Sequence, residues 1–257
     1  MQTEIDGVIL SRRGGRLRCL GGGSFGVVLH ATAVADQAPA AFKLVCCRND
    51  QEVLTAKHEK ILEELPAHPH VVRLLSFCEH LAGSAAFSQT GELMGEIQTL
   101  CRDLNAKGQP FPQKMLRPVV GDKFCTLAFE LAGDQDLFSW YEFYADAGDT
   151  PPDDKLRMVA RQMAGALAHL HENGIVHHDF KSENVTVTIT SAGVVTKLID
   201  FGLARRASGG HPGSVGSVAG AAPEMWTSDD YRGPPADVWS YGGAARHRRQ
   251  APHSPPA

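Results

Sequence analysis

The segment Ile175-Val176-His177-His178-Asp179-Phe180-Lys181-Ser182-Glu183-Asn184 places an acid, a lysine and an amide along one short loop. The β-prone run Val185 to Ile189 follows directly, and Asp200-Phe201-Gly202 closes a second apolar run. An Asp placed to take a hydroxyl proton, an Asn and a second Asp able to hold magnesium, and a lysine near phosphate make a phosphoryl-transfer site. No other common chemistry needs that set in that order.

A glycine-rich stretch lies upstream. Leu20-Gly21-Gly22-Gly23-Ser24-Phe25-Gly26-Val27-Val28 contains the spacing G-x-G-x-x-G-x-V, with Arg16 to Leu20 before it and Val27 to Ala31 after it reading as strands. Glycines at a hairpin tip let backbone N–H groups approach phosphate oxygens with no Cβ in the way. A dinucleotide site would want a helix after the glycines. Val27-Val28-Leu29 favours a strand instead, so the loop reads as a phosphate cover.

Next comes Ala40-Ala41-Phe42-Lys43-Leu44-Val45, an apolar strand with one lysine inside it. An unpaired buried ammonium is costly, so Lys43 needs partners. Nucleotide phosphates and a carboxylate from the following helix, read at Glu52 to Leu65, would supply them. Glu59 is the choice when counted back from His68-Pro69-His70-Val71-Val72. Counting back from Leu62 and Leu65 lands on His58, and Glu52 and Glu63 are alternatives.

Together these motifs resemble the protein kinase family. The resemblance runs from about Arg16 to Gly242. It takes in the glycine loop, Lys43, His177-His178-Asp179 with Lys181 and Asn184, Asp200-Phe201-Gly202, Ala222-Pro223-Glu224 and Asp237-Val238-Trp239-Ser240-Tyr241-Gly242, in the family's order. It implies an α+β, bilobal protein-kinase-like fold, with a small antiparallel β lobe and a mainly helical large lobe that is incomplete. It implies ATP and magnesium (Mg2+) as cofactors. Asp179 would be the catalytic base, Lys181 would stabilise the γ-phosphoryl, and Asn184 and Asp200 would hold the metal. The nucleotide would be held by Leu20, Gly21, Gly23, Gly26, Val28, Ala41, Lys43, Glu59, Phe129, Glu130 and Ala132. Within that set Phe129 sits at the back of the pocket, and Glu130-Leu131-Ala132 resembles the hinge whose backbone bonds adenine.

Lys181 after the Asp resembles serine/threonine kinases. Gly216-Ser217-Val218-Ala219-Gly220-Ala221-Ala222-Pro223-Glu224 resembles the family's peptide-facing segment, with Ser217 in its threonine position and Gly220 where an aromatic is usual. The implied partner is a protein substrate with a Ser or Thr acceptor. A small-molecule kinase would lack this segment.

Some positions depart from the family. His178 replaces an arginine that clamps a phosphorylated activation segment. A histidine is only partly charged near neutral pH and lacks the bidentate fork, so activation by phosphate within Leu203 to Val215, despite Ser208 and Ser214, is expected to be weak. Leu81 to Asp122 is a long insertion between the apparent fourth and fifth strands, Val71 to Phe77 and Phe124 to Phe129. Leu93, Ile97, Leu100, Cys101 and Leu104 fall near one helical face, which suits either a helix packed on the small lobe or a docking site for a partner. After Gly242 the pattern stops in an Arg- and Pro-rich tail that reads as disordered. That expectation leaves Met225, Trp226, Val238 and Trp239 exposed. The alternative function is then a truncated kinase-like nucleotide-binding or scaffold protein without catalysis.

The elements that must position these residues can be laid out in order. The whole chain of 257 residues reads as a single domain: a small lobe at 14–129 with the insertion 81–122, a hinge, a partial large lobe at 130–243 and the tail 244–257. Met1 to Arg13 is a loose or edge segment. Asp136 to Tyr144 suggests a short helix. Thr150-Pro151-Pro152-Asp153 reads as a helix start with a hydroxyl cap. Leu156, Val159, Met163, Leu167 and Leu170 form one stripe ending at Asn173-Gly174. Strands at Val185 to Ile189 and Val194 to Ile199 carry Asn184 and Asp200 at their ends.

Composition fits this reading. Apolar residues make up 43% of the chain, enough for a core, and the net charge of −4 argues against a polybasic nucleic-acid surface. No apolar run is long enough to span a bilayer, and the N-terminus lacks a secretory pattern. Neither nucleic acid nor membrane is an expected partner, and the expected location is cytoplasmic or nuclear. The six cysteines form no CxxC pair and the twelve histidines no HExxH, so zinc is not expected from spacing.

Overall fold

Alternation of buried and less buried residues decides how the first part of the chain folds. In the strand Gly26–Ala33 the residues Val27, Leu29, Ala31 and Ala33 are buried, and in Pro39–Cys47 so are Ala40, Phe42, Leu44 and Cys46. A period of two puts each set on one face of a pleated sheet. The computed structural model describes residues 3–22, 26–81, 91–108, 113–116, 122–208, 220–227, 231 and 233–246. The chain divides into two compact units, Met1–Lys60 with Arg73–Leu131, and Ile61–Val72 with Ala132–Ala257. The class is the α+β one that the motifs imply: a unit built on an antiparallel sheet and a mainly helical unit.

In the first unit the strands are β1 (Thr3–Ile5), β2 (Val8–Leu10), β3 (Arg12–Arg13), β4 (Arg16–Leu17), β5 (Cys19–Gly22), β6 (Gly26–Ala33), β7 (Pro39–Cys47), β8 (Leu74–Leu81) and β9 (Lys123–Glu130). The main sheet runs β1-β2-β6-β7-β9-β8, with β5 also paired to β6. Residues before Arg13, read as a loose or edge segment, form the edge strand β1 and the next strand β2. The expected strand Arg16 to Leu20 is split between β4 and β5, and the register slips between Cys19 and Gly21.

The helical stripe in the insertion is real. Helix Gly91–Ala106 buries Leu93, Met94, Ile97 and Cys101 in the cluster that holds Leu29, Phe42 and Phe124, with Leu100 packed against it, and Leu104 is buried as well. Full burial of a side chain such as Ile97 stabilises by about 1.5–3 kcal/mol. Among the described residues, the helix therefore covers the sheet face of Phe42, opposite the face of Lys43. Residues 82–90, 109–112 and 117–121 of the insertion lie outside the described residues.

The helix expected at Glu52 to Leu65 is shorter. An α-helix spans Asp50–Lys57 and a 3₁₀ turn continues it through His58–Glu64. Its start is a variant of the capping box: Glu52 N–H donates to the cap residue at Asn49 Oδ1, 2.9 Å away, and the Glu52 carboxylate accepts from the N–H of the preceding residue, Arg48, at 2.8 Å. The fourth strand starts at Leu74 rather than Val71. Val71 instead bridges to Leu198, and Val72 N–H donates to Leu198 O at 3.0 Å, within the second unit.

The second unit is organised by the helix Asp153–Glu172, which buries Leu156, Val159, Met163, Ala166, Leu167 and Leu170. Thr150 does not cap it. Pro152 occupies the cap position and makes no side-chain bond, and Asp153 and Asp154 in the first turn complement the helix dipole instead. Gly174, at φ 68°, ends it in the left-handed conformation that suits glycine. After the two-residue strands β10 (Gln135–Asp136) and β11 (Ile175–Val176), a hairpin of β12 (Val185–Thr190) and β13 (Gly193–Leu198) packs against this helix. Gln162 of the helix bonds the outer side of β13: its amide donates to Val194 O at 2.8 Å and its carbonyl accepts from Thr196 N–H at 2.8 Å. A shorter helix, Leu137–Asp146, is capped by Asp136, which accepts from Ser139 N–H at 2.8 Å.

At the C-terminal side the helices are Glu224–Thr227 and Gly233–Arg246. Trp226, Val238 and Trp239 are about half exposed, at 49%, 56% and 53%. Met225 is not exposed as expected: it is buried with Ala222, Tyr231 and Ala236. Ala244 to Arg246, expected to open a disordered tail at 244–257, instead continue this helix to its end, and residues 247–257 lie outside the described residues.

Candidate active site

The first unit supplies a paired lysine. Sheet register sets Lys43 of β7 opposite Val28 of β6 and Leu127 of β9, and sets Ala41 opposite His30 and Phe129. Directly opposed residues share a face, so Val28, Ala41, Lys43 and Phe129 lie on one side of the sheet. Lys43 Nζ reaches Glu59 Oε1 at 2.6 Å, and the two side chains are 13% and 3% exposed. Of the candidate carboxylates, Glu59 is the one that meets the lysine, because the backbone tightens from α-helix to 3₁₀ turn at His58. Glu52 is used in the capping box.

The glycine loop is described at its two ends. Leu20 is exposed, Gly21 and Gly22 are half-buried, and Gly23, Ser24 and Phe25 lie outside the described residues. Gly26 has a steric reason to be glycine: a Cβ there would stand 2.4 Å from Leu44 O. At the end of β9, Glu130 N–H donates to Arg73 O and Leu131 N–H to Pro39 O, both at 3.1 Å. The Glu130 carboxylate also accepts from Arg73 N–H at 3.1 Å. Arg73 thus fixes the start of the expected hinge, a role with no sequence signature because it acts through its backbone. Ala132 begins the second unit.

The second unit gathers the loop residues. Lys181 Nζ lies 2.9 Å from Asp179 Oδ2. Asn184 Nδ2 donates to the same carboxylate oxygen at 2.9 Å and to Asp179 O at 2.8 Å. A 3₁₀ turn at Ser182–Asn184 brings the amide back over the loop. Val185 pairs with Leu198, and Ile199 N–H donates to Asn184 O at 2.9 Å, so Asn184 and Asp200 stand at the same end of the hairpin. Asp200 takes a positive φ of 60°, uncommon for a non-glycine residue but tolerated by Asp.

Beneath the loop, His177 is fully buried. Its Nδ1 accepts from Asp179 N–H at 3.3 Å, which leaves Nε2–H to donate to Ile199 O at 3.1 Å. One ring therefore ties the Asp179 loop to the strand leading to Asp200. Phe201 packs edge-on against it, with centroids 4.8 Å apart.

Asp237 is a residue whose role the motifs did not reveal. It is buried at 1% exposure and accepts from His177 N–H at 2.8 Å, His178 N–H at 2.9 Å and His171 Nε2 at 2.9 Å. Burial pushes its carboxyl up. The His171 hydrogen bond, the nearby His177 imidazole and the two backbone amides outweigh burial and hold the pKa below the usual carboxylate value. The available signal was a lone Asp one turn into a helix otherwise poor in charge, where a buried carboxylate needs strong partners. The Ser240 hydroxyl donates to Gly220 O at 2.8 Å, tying the same helix to the segment before Ala222-Pro223-Glu224. Ser214 and Gly216 to Ala219 lie outside the described residues.

Comparison with known proteins agrees with the resemblance. A family model described as protein kinase domain matches residues 15–245. Serine/threonine-protein kinase PSK2 of Saccharomyces cerevisiae is 36% identical over 156 residues, 59% of this chain and 13% of that protein. PSK1 of the same yeast is 33% identical over 156 residues, 59% of this chain and 11% of that protein. Protein kinase kin1 of Schizosaccharomyces pombe is 41% identical over 88 residues, 34% of this chain and 10% of that protein. The chain thus spans a small part of the length of these relatives.

Proposed function

Because the chain belongs to the protein kinase domain family, we propose that it transfers the γ-phosphoryl group of ATP to serine or threonine hydroxyls of protein substrates. The observation that supports this reading most directly is the cluster in which Lys181 and Asn184 both contact the Asp179 carboxylate while Asp200 stands at the same end of the hairpin.

In this reading Asp179 orients the acceptor hydroxyl and takes its proton. Lys181 turns from Asp179 toward the transferring phosphoryl oxygens and balances their charge. Lys43, held in place by Glu59, meets the α- and β-phosphates. The backbone at Gly21, Gly23 and Gly26 covers the phosphates, while Leu20, Val28, Ala41 and Phe129 form the apolar walls around the base. The Glu130 and Leu131 amides are already bonded within their own unit, so Ala132 is the proposed backbone contact for adenine. Asn184 and Asp200, one amide and one carboxylate with oxygen donors, suit magnesium. Magnesium, when bound, neutralises phosphate charge and orients the triphosphate.

The relatives' names support a Ser/Thr acceptor. The six cysteines are free thiols, which suits a reducing cytoplasm or nucleus. Among the described residues no helix is long and apolar enough to cross a membrane. A docking partner at 81–122 would meet the polar outer face of the helix Gly91–Ala106, whose apolar stripe faces the core.

The test is transfer from labelled ATP to a generic Ser/Thr protein substrate in magnesium, with Asp179→Asn in parallel. Signal lost in the variant supports the proposal. Equal signal from both proteins sinks it. A magnesium-dependent thermal shift with ATP but no turnover would favour a nucleotide-binding scaffold.

A further inference from the structure

The first unit holds a second constellation, away from phosphate chemistry. Cys78 and His80 are two residues apart on β8, so their side chains leave the same face of the strand. Thr126 of β9 is the ladder partner of Cys78 and shares that face. The turn between β1 and β2 lies over it. Asp6 in that turn takes φ 49°, followed by Gly7 at φ 82°, and Ser76 Oγ donates to Asp6 O at 3.1 Å. The Asp6 carboxylate stands 2.8 Å from His80 Nε2 and accepts from Thr126 Oγ1 at 2.5 Å. One ligand atom from each of Asp6, Cys78 and His80 lies within 4.8 Å of the others. The His80 and Asp6 side chains are only 13% and 15% exposed.

We propose that Asp6, Cys78 and His80 form a binding site for one divalent transition-metal ion, with zinc the best fit. A thiolate, an imidazole nitrogen and a carboxylate oxygen are the donors zinc prefers, and three protein ligands leave a fourth position for water. Magnesium, which wants oxygen donors throughout, does not suit this set. On binding, the Cys78 S–H bond breaks, a sulfur–metal bond forms and the proton leaves to water. His80 offers Nε2 as a neutral ring, its proton on Nδ1. Thr126 keeps its bond to Asp6 and orients the carboxylate.

The site joins residues 74 apart in the chain, from opposite ends of the strand order β1-β2-β6-β7-β9-β8. An ion there would clasp the two ends of one sheet, and its binding free energy would add to folding. Spacing alone conceals such a site, because the ligands come from a turn and a distant strand and not from a zinc-finger repeat. The inference is independent of the kinase reading.

The test uses the full chain, reduced and freed of metal, titrated with cobalt(II). Saturation at one ion per chain, with a thiolate-to-cobalt charge-transfer band and tetrahedral d–d bands, is expected. Zinc should displace the cobalt, and excess magnesium should not. Cys78→Ser should abolish the charge-transfer band and weaken cobalt binding by about a hundredfold. Cys125→Ser should leave both unchanged, although Cys125 Sγ lies 3.9 Å from the Cys47 thiol and the two form a thiol pair in the same sheet. Zinc should raise the melting temperature of the wild type but not of His80→Gln. Absence of the charge-transfer band in the wild type overturns the proposal without any variant. So does a band that survives Cys78→Ser or vanishes in Cys125→Ser.

Discussion

Lys43 and Glu59 are 16 residues apart and meet because sheet register and a helix-to-3₁₀ transition bring them together. Asp179 and Lys181 are neighbours in one loop. The contact distances are similar, 2.6 and 2.9 Å, but the surroundings differ. The first pair is 13% and 3% exposed; in the second, Lys181 is 28% and Asp179 is 11% exposed. A pair deep in a sheet holds two structural elements together and suffers if one charge is deleted. A loop pair contributes little to folding and leaves its lysine able to reorient. The loop gets its rigidity from beneath, through His177 and Asp237.

This contrast can be broken by substitution. The largest expected effect is on chemistry. Asp179→Asn should lower kcat by roughly 10²–10⁴-fold, the usual worth of a positioned general base, with little change in the urea midpoint. A variant that turns over normally would remove the loop pair from catalysis. Lys43→Met should cost about 3–5 kcal/mol in urea unfolding, because the buried Glu59 carboxylate loses the Lys43 ammonium. The double variant Lys43→Met with Glu59→Gln should recover part of that loss, and simple additivity would show that the pair is not coupled.

Asp237→Asn should cost about 1–3 kcal/mol, since an amide nitrogen would then face one of three donors. A pH series sharpens the point. The folded-state pKa of Asp237 lies below its unfolded value. Its contribution is therefore fully present above the unfolded value, about 4, and is lost as pH falls through the folded-state value. The wild type should show a steeper acid loss of stability than Asp237→Asn, and parallel acid limbs would contradict the assignment. The smallest stability effect is expected for Lys181→Ala, under about 1 kcal/mol, even though phosphate transfer should fall.

The two regions also differed in how well they could be read from sequence. The loop His177 to Asn184 and the hairpin after it are local, so their order and turn chemistry stand in the motif itself. Gly174 was readable for the same reason: a helix end needs a left-handed residue. Long-range relations were not readable. The choice among Glu52, Glu59 and Glu63 depended on where an α-helix tightens into a 3₁₀ turn. The shift of Val71 from the first sheet to a bridge with Leu198 depended on tertiary pairing. Met225 looked exposed until Tyr231 and Ala236 were seen to cover it. Asp237 acts on residues 59 and 60 positions away, through backbone amides that leave no trace in side-chain pattern.

The Gln162 amide has a consequence for self-association. β13 is the last strand of its small sheet, and a strand in that place ordinarily offers a free template to any extended peptide. By bonding Val194 O and Thr196 N–H, the helix side chain stands in for a neighbouring strand along that stretch, and the backbone of His70 to Val72 takes over at Leu198. The hairpin carrying Asn184 is thereby closed to β-augmentation along that edge, by one glutamine together with the segment His70 to Val72.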